Sequence, residues 1–91
     1  SEVPAQYVLQ QNYPNPFNPV TNIKFSIPKT GAVKLTIFDV SGREVAVLVN
    51  ESLAAGSYNA DFDAAGLSSG VYLYKLESDG FVQTKKMVLI K

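Results

Sequence analysis

Leu67-Ser68-Ser69-Gly70-Val71-Tyr72-Leu73-Tyr74-Lys75-Leu76-Glu77-Ser78-Asp79-Gly80 is the stretch that decides the fold. It opens on small turn-forming residues and runs through a segment rich in strand formers. It stops at Asp79-Gly80, a dipeptide suited to a type I′ turn. Phe81–Ile90 supplies the return strand, so Val71–Ser78 and Phe81–Ile90 make a hairpin. Upstream, Ala64–Gly70 is a crossover of small residues, and before it Ser57–Asp63 alternates. Tyr58, Ala60 and Phe62 point inward there, while Asn59, Asp61 and Asp63 face solvent.

The same grammar continues toward the amino terminus. Asn50–Gly56 is a longer loop after a strand at Glu44–Val49, and Asp39-Val40-Ser41-Gly42 is a turn in which Gly42 takes positive φ. Val33, Leu35 and Ile37 share one face, opposite Lys34 and Thr36; Pro28-Lys29-Thr30-Gly31 turns the chain before them. Asn22–Ile27 alternates through Ile23, Phe25 and Ile27, and Tyr7–Gln10 is a weak strand. Val45–Val49 and Met87–Ile90 are apolar on both faces, so periodicity does not set their register. The chain is therefore all-β, an immunoglobulin-like antiparallel β-sandwich of about seven strands. Tyr72, just inside a late strand after Gly70, is placed like a tyrosine corner whose hydroxyl bonds backbone upstream.

Composition narrows the function. Ninety-one residues make one domain, and 46% apolar with 18% charged residues is ordinary globular material. The formal net charge of zero leaves no basic excess for a nucleic acid. No apolar run reaches the ~20 residues of a transmembrane helix, and no signal peptide is visible, so an exported form needs a longer precursor. Cysteine and histidine are both absent. That removes disulfides, the usual zinc, haem and iron–sulfur ligands, and every Cys- or His-based catalytic arrangement. The expectation is a protein that is not an enzyme, with no catalytic residue, no metal site and no cofactor.

Asn12-Tyr13-Pro14-Asn15-Pro16-Phe17-Asn18-Pro19 is unlike the rest. Three prolines fix φ and remove backbone donors, which excludes a helix or a central strand. Asparagines close local turns, and Tyr13 and Phe17 offer something to bury. The stretch is predicted to be an ordered strap, docked through both aromatics.

The strap resembles the opening of the C-terminal sorting domains (type A) of the type IX secretion system, also called the Por secretion system. Ile37–Val45 is similar to that family's central hairpin, Leu67–Lys75 to its Gly-Val-Tyr segment, and Thr84–Lys91 to its closing strand. The resemblance runs from about residue 7 to Lys91. Pro14, Pro16, Phe17, Pro19, Gly42, Gly70 and Tyr72 are its structural positions. An immunoglobulin-like domain of the flagellar hook-capping protein is similar mainly in the middle of the chain. The resemblance implies two parts, 1–11 as linker or N-terminal strand and 12–91 as the sorting domain. It implies a secreted protein acting in protein transport, with a cargo, the outer-membrane translocon and a sortase-like processing enzyme as partners. The cargo would pass through the periplasm to the cell surface or medium.

Other candidates have plainer explanations. Asp61 and Asp63, with Asp39 and Glu44, suggest paired carboxylates or calcium, but a solvated strand face accounts for them. Gly66 and Gly70 lack the lysine and helix of a phosphate loop, and Ser41, Ser52, Ser68 and Ser69 have no histidine to activate them. Lys85, Lys86 and Lys91 stand out, because no acid follows Asp79. They are either gatekeepers of an exposed strand or a docking tail for export machinery or an anionic surface, and the roles are compatible. Ser1–Gln11 is either linker or a strand that completes a neighbouring copy. The latter would make a self-assembling or adhesive extracellular module, a homo-oligomer built by strand addition.

Overall fold

Alternating apolar residues need a second apolar surface to face, and the chain supplies one in two sheets. The computed structural model describes residues 3–91; Ser1 and Glu2 of the N-terminal segment lie outside the described residues. The strands are β1 (Val8–Leu9), β2 (Val20–Ile27), β3 (Gly31–Asp39), β4 (Glu44–Leu53), β5 (Gly56–Asp63), β6 (Gly70–Ser78) and β7 (Phe81–Leu89). They form a three-stranded sheet β1-β2-β5 and a four-stranded sheet β4-β3-β6-β7, antiparallel throughout. This is an all-β, immunoglobulin-like sandwich. Ile23, Phe25 and Ile27 of β2 meet Leu35 and Ile37 of β3 and Tyr74 and Leu76 of β6 in one buried core.

Turn chemistry sets the hairpins. Asp79 and Gly80 both have positive φ (48° and 86°), as a type I′ turn demands, and they hold β6 and β7 in unbroken register from Ser78↔Phe81 to Gly70↔Leu89. Gly42 has φ 88° in the β3–β4 turn, where a side chain would be strained. Asp39 organises that turn: its carboxylate accepts from the Ser41 and Arg43 amides and the Ser41 hydroxyl, and pairs with the Arg43 guanidinium. The Ser41 hydroxyl, ahead of the Arg43 amide, holds the Asp39 carboxyl below its ordinary value.

One expectation fails. The loop at Asn50–Gly56 is mostly strand: β4 continues to Leu53 and pairs with Gly31, leaving only Ala54 and Ala55 to turn into β5. Polar Asn50, Glu51 and Ser52 lie on an edge strand, where they need no partner sheet, and so imitate a loop in sequence. Tyr58 keeps the inward side of β5 as expected, half-buried against the core and stacked on Phe25 with ring centroids 5.6 Å apart. The doubly apolar run of β4 also finds its explanation. The pairing skips Val45 and Leu48, two bulges that each set two residues opposite one. Val45, Ala46, Leu48 and Val49 consequently all pack on the core, which strict alternation forbids.

Candidate functional site

β7 is an edge strand whose two faces differ. Met87 and Leu89 point into the core, whereas Val82, Thr84 and Lys86 are exposed, as is Ile90 just beyond the strand. Along the carboxy-terminal half of its free edge lies the strap. Phe17 N–H donates to Val88 O (2.9 Å) and Ile90 N–H donates to Phe17 O (3.0 Å), making a one-residue parallel bridge between Phe17 and Leu89. The Asn15 side-chain oxygen accepts from Val88 N–H (2.9 Å), and Gln11 Nε2 donates to Lys86 O (2.8 Å). Proline suits this position, since the strap binds through side chains and one residue's backbone, so the donors missing at Pro14, Pro16 and Pro19 are not needed.

The strap is held from beneath by Phe17 and by a buried polar cluster. Phe17 is 2% exposed and lies against Phe62, centroids 6.2 Å apart. Tyr13 does not share that role: it is 81% exposed, correcting the expectation that both aromatics dock. Tyr13 pairs with Asn22 through both backbone hydrogen bonds, so its neighbour Asn12, not its own ring, faces the interior. Asn12 Nδ2 donates to Thr21 Oγ1 (3.0 Å) and Pro14 O (3.1 Å), and its N–H donates to the Tyr74 hydroxyl (2.8 Å). That hydroxyl donates to Gln10 O (2.7 Å). Asn12, Thr21 and Tyr74 are all buried, so each needs these partners. Composition pointed to none of the three. Tyr74, two residues after Tyr72 on the same face, carried the one available signal, because a core tyrosine hydroxyl must find a partner.

Burial pushes the Tyr74 phenol up to about 12. The folded state thus prefers the neutral phenol more strongly than the unfolded chain, whose tyrosines titrate near ~10. Stability should be unaffected by this group below that value and fall as pH rises through the interval to about 12. Denaturant melts between pH 9 and 12 test this, and Tyr74→Phe should flatten that part of the alkaline loss.

Two residues nearer the start of β6, the Tyr72 hydroxyl donates to Ser68 O (2.7 Å), four residues upstream, which is tyrosine-corner geometry. Gly70, at φ 152°, begins the strand between them. Tyr72→Phe should cost about 1 kcal/mol, read from a denaturant melt; an unchanged midpoint would mean that water replaces the bond at no loss. Lys91 braces the same crossover: its ammonium donates to Ala65 O (2.5 Å) and Leu67 O (2.7 Å), and its amide to the Ser69 hydroxyl (3.0 Å).

The three lysines therefore do not converge. Lys91 is tied to the crossover, while Lys85 and Lys86 leave opposite faces of β7 and have no ion pair among the described residues. The carboxylates do not form a centre either. Asp61 accepts from Asn22 Nδ2 (2.8 Å), Asp63 from the Ala65 amide (3.0 Å), and Asp39 is consumed by its turn. Among the described residues no group of three or more acidic side chains could hold a metal ion, and no helix is long and apolar enough to cross a membrane.

The family model of the secretion system C-terminal sorting domain matches residues 11–91. The chain belongs to that family. No curated protein matches it. The matched region of the sorting domain opens at Gln11, which reaches β7 just ahead of the strap, and takes in the strap and both hairpins. The family is a family of sorting signals, not of enzymes, and it implies an attached cargo, the type IX machinery and a destination at the cell surface or outside the cell.

Proposed function

We infer that this sorting domain carries an attached cargo from the periplasm through the outer membrane by presenting β7 as its address. The cargo is then released or joined to the surface after a sortase-like enzyme removes the domain. The observation that carries this reading is the seating of β7: one edge pairs with β6 along its whole length, and the strap fixes the carboxy-terminal half of the other. A signal read by a partner needs a fixed shape, and here shape comes without a disulfide, from packing and backbone pairing. Exchange of the N-terminal strand between copies has less support, because Val8–Leu9 pairs with β2 of its own chain and buries Leu9.

The test is a reporter fused to the chain and expressed in a host with a working type IX system. Export of the wild-type fusion is expected, and its retention in the cell would sink the reading. Deleting Met87–Lys91 is a poor probe, since it removes two core residues and the backbone partners of the strap. Lys85→Gln with Lys86→Gln spares the packing and is expected to lower export while leaving the melt unchanged. Wild-type export by that folded pair would leave both lysines as gatekeepers.

A further inference from the structure

The strap covers only part of the β7 edge. Val88 exchanges both its backbone groups with the strap, and the Lys86 carbonyl accepts from Gln11 just ahead of it, so even-numbered residues of β7 turn their amides away from β6. The β6–β7 register has no shift, so Val82 and Thr84 share that orientation. Their N–H and C=O groups, with the Lys86 N–H, have no partner among the described residues. The four-stranded sheet thus ends on five open backbone groups in a row, beginning where the strap stops. The opposite edge, β4, is broken by two bulges, a common protection against strand addition. The open part of β7 has no bulge and no proline. Its charged residues are Lys85 and Lys86, one on each face and both without an ion pair among the described residues.

We propose that the open edge from Val82 to Lys86 is a docking site for an extended acidic segment of the export machinery, which adds as a fifth strand beside β7. The backbone groups of Val82, Thr84 and Lys86 supply affinity that is indifferent to sequence, and the two lysines select carboxylates on both faces of the incoming strand. The strap sets the register, because the added strand must stop where Gln11 already occupies the Lys86 carbonyl. This rests on the sorting function above and adds the mode of recognition.

Thr84→Pro is the deciding variant. It deletes the central open N–H at an exposed edge position, where proline is tolerated, and touches no core residue. A folded Thr84→Pro fusion is expected to lose export by about tenfold or more, while Thr84→Val, which keeps the N–H, exports as wild type. Lys85→Glu with Lys86→Glu should lose at least as much, by repelling the acidic strand. Wild-type export by folded Thr84→Pro would overturn the proposal, and wild-type export by the double charge reversal would overturn the acidic partner. The β5 edge, with Asp61 and Asp63, offers a competing occupant within a second copy. Concentration-dependent association of the purified chain in sedimentation, abolished by Thr84→Pro, would assign the edge to self-assembly and overturn the proposal. Should the wild-type fusion itself stay in the cell, the sorting reading falls, whatever the variants do.

Discussion

Phe17→Ala is expected to lower the midpoint of thermal unfolding by more than about 10 °C. Truncating a fully buried phenylalanine costs about 3–5 kcal/mol, and in a domain of this size each kcal/mol moves the midpoint by about 4–8 °C. Phe17 is at the high end of that range for a structural reason. It is 2% exposed, it faces Phe62, and its backbone carries the bridge to Val88 and Ile90, so the void cannot collapse without pulling the strap off β7. Tyr13→Ala is the internal comparison. Its ring is 81% exposed, so the change should stay within about 0.5 kcal/mol. Thermal melts of the two variants side by side check this. Equal, small losses would mean that the strap is not docked through Phe17.

That contrast also marks how far sequence reasoning reached. Tyr13 and Phe17 are alike in type and sit four residues apart in the same proline-rich stretch, and nothing in their neighbours tells which one points inward. Pairing decides it: Tyr13 is spent on a bridge to Asn22 and Phe17 on a bridge to Leu89. The hairpins were legible because turns announce themselves locally. Gly42 and Asp79-Gly80 adopt positive φ, and their residue types said so. The Tyr72 corner was legible for a similar reason, since its partner Ser68 lies four residues away. Tyr74 finds its partners at Gln10 and Asn12, more than sixty residues upstream, and long-range pairing leaves no local trace. The bulges at Val45 and Leu48 were hidden likewise, because an all-apolar run is compatible with either register until a partner strand picks one. Closeness in sequence does not carry over to space for the lysines: alternation sends Lys85 and Lys86 to opposite faces, and Lys91 folds back onto the crossover.

The fragment Val20–Lys91 is expected not to fold at 25 °C. It retains six of the seven strands, and by secondary structure alone it looks like a complete sandwich. Energetics say otherwise. Losing buried Leu9 and Phe17 together costs about 5–10 kcal/mol, which equals the whole stability of a typical domain of this length. The Tyr74 hydroxyl would lose both Gln10 O and Asn12 N–H, and Thr21 would lose Asn12 and Pro14. Each such orphaned buried group costs a further ~1–3 kcal/mol unless water enters the core. The amides of Val88 and Ile90 face outward once the strap is gone, so water satisfies them and they add little. Near-ultraviolet circular dichroism and amide dispersion in a nitrogen–proton spectrum are the readouts, with loss of both expected. A peptide spanning Val3–Pro19, added in excess, should restore them by mass action, because it brings back Leu9, Asn12 and Phe17 together. A fragment that melts cooperatively near the midpoint of the full chain would instead reduce the strap to a linker. Its proline and asparagine pattern would then have to be explained by recognition, since stability would no longer need it.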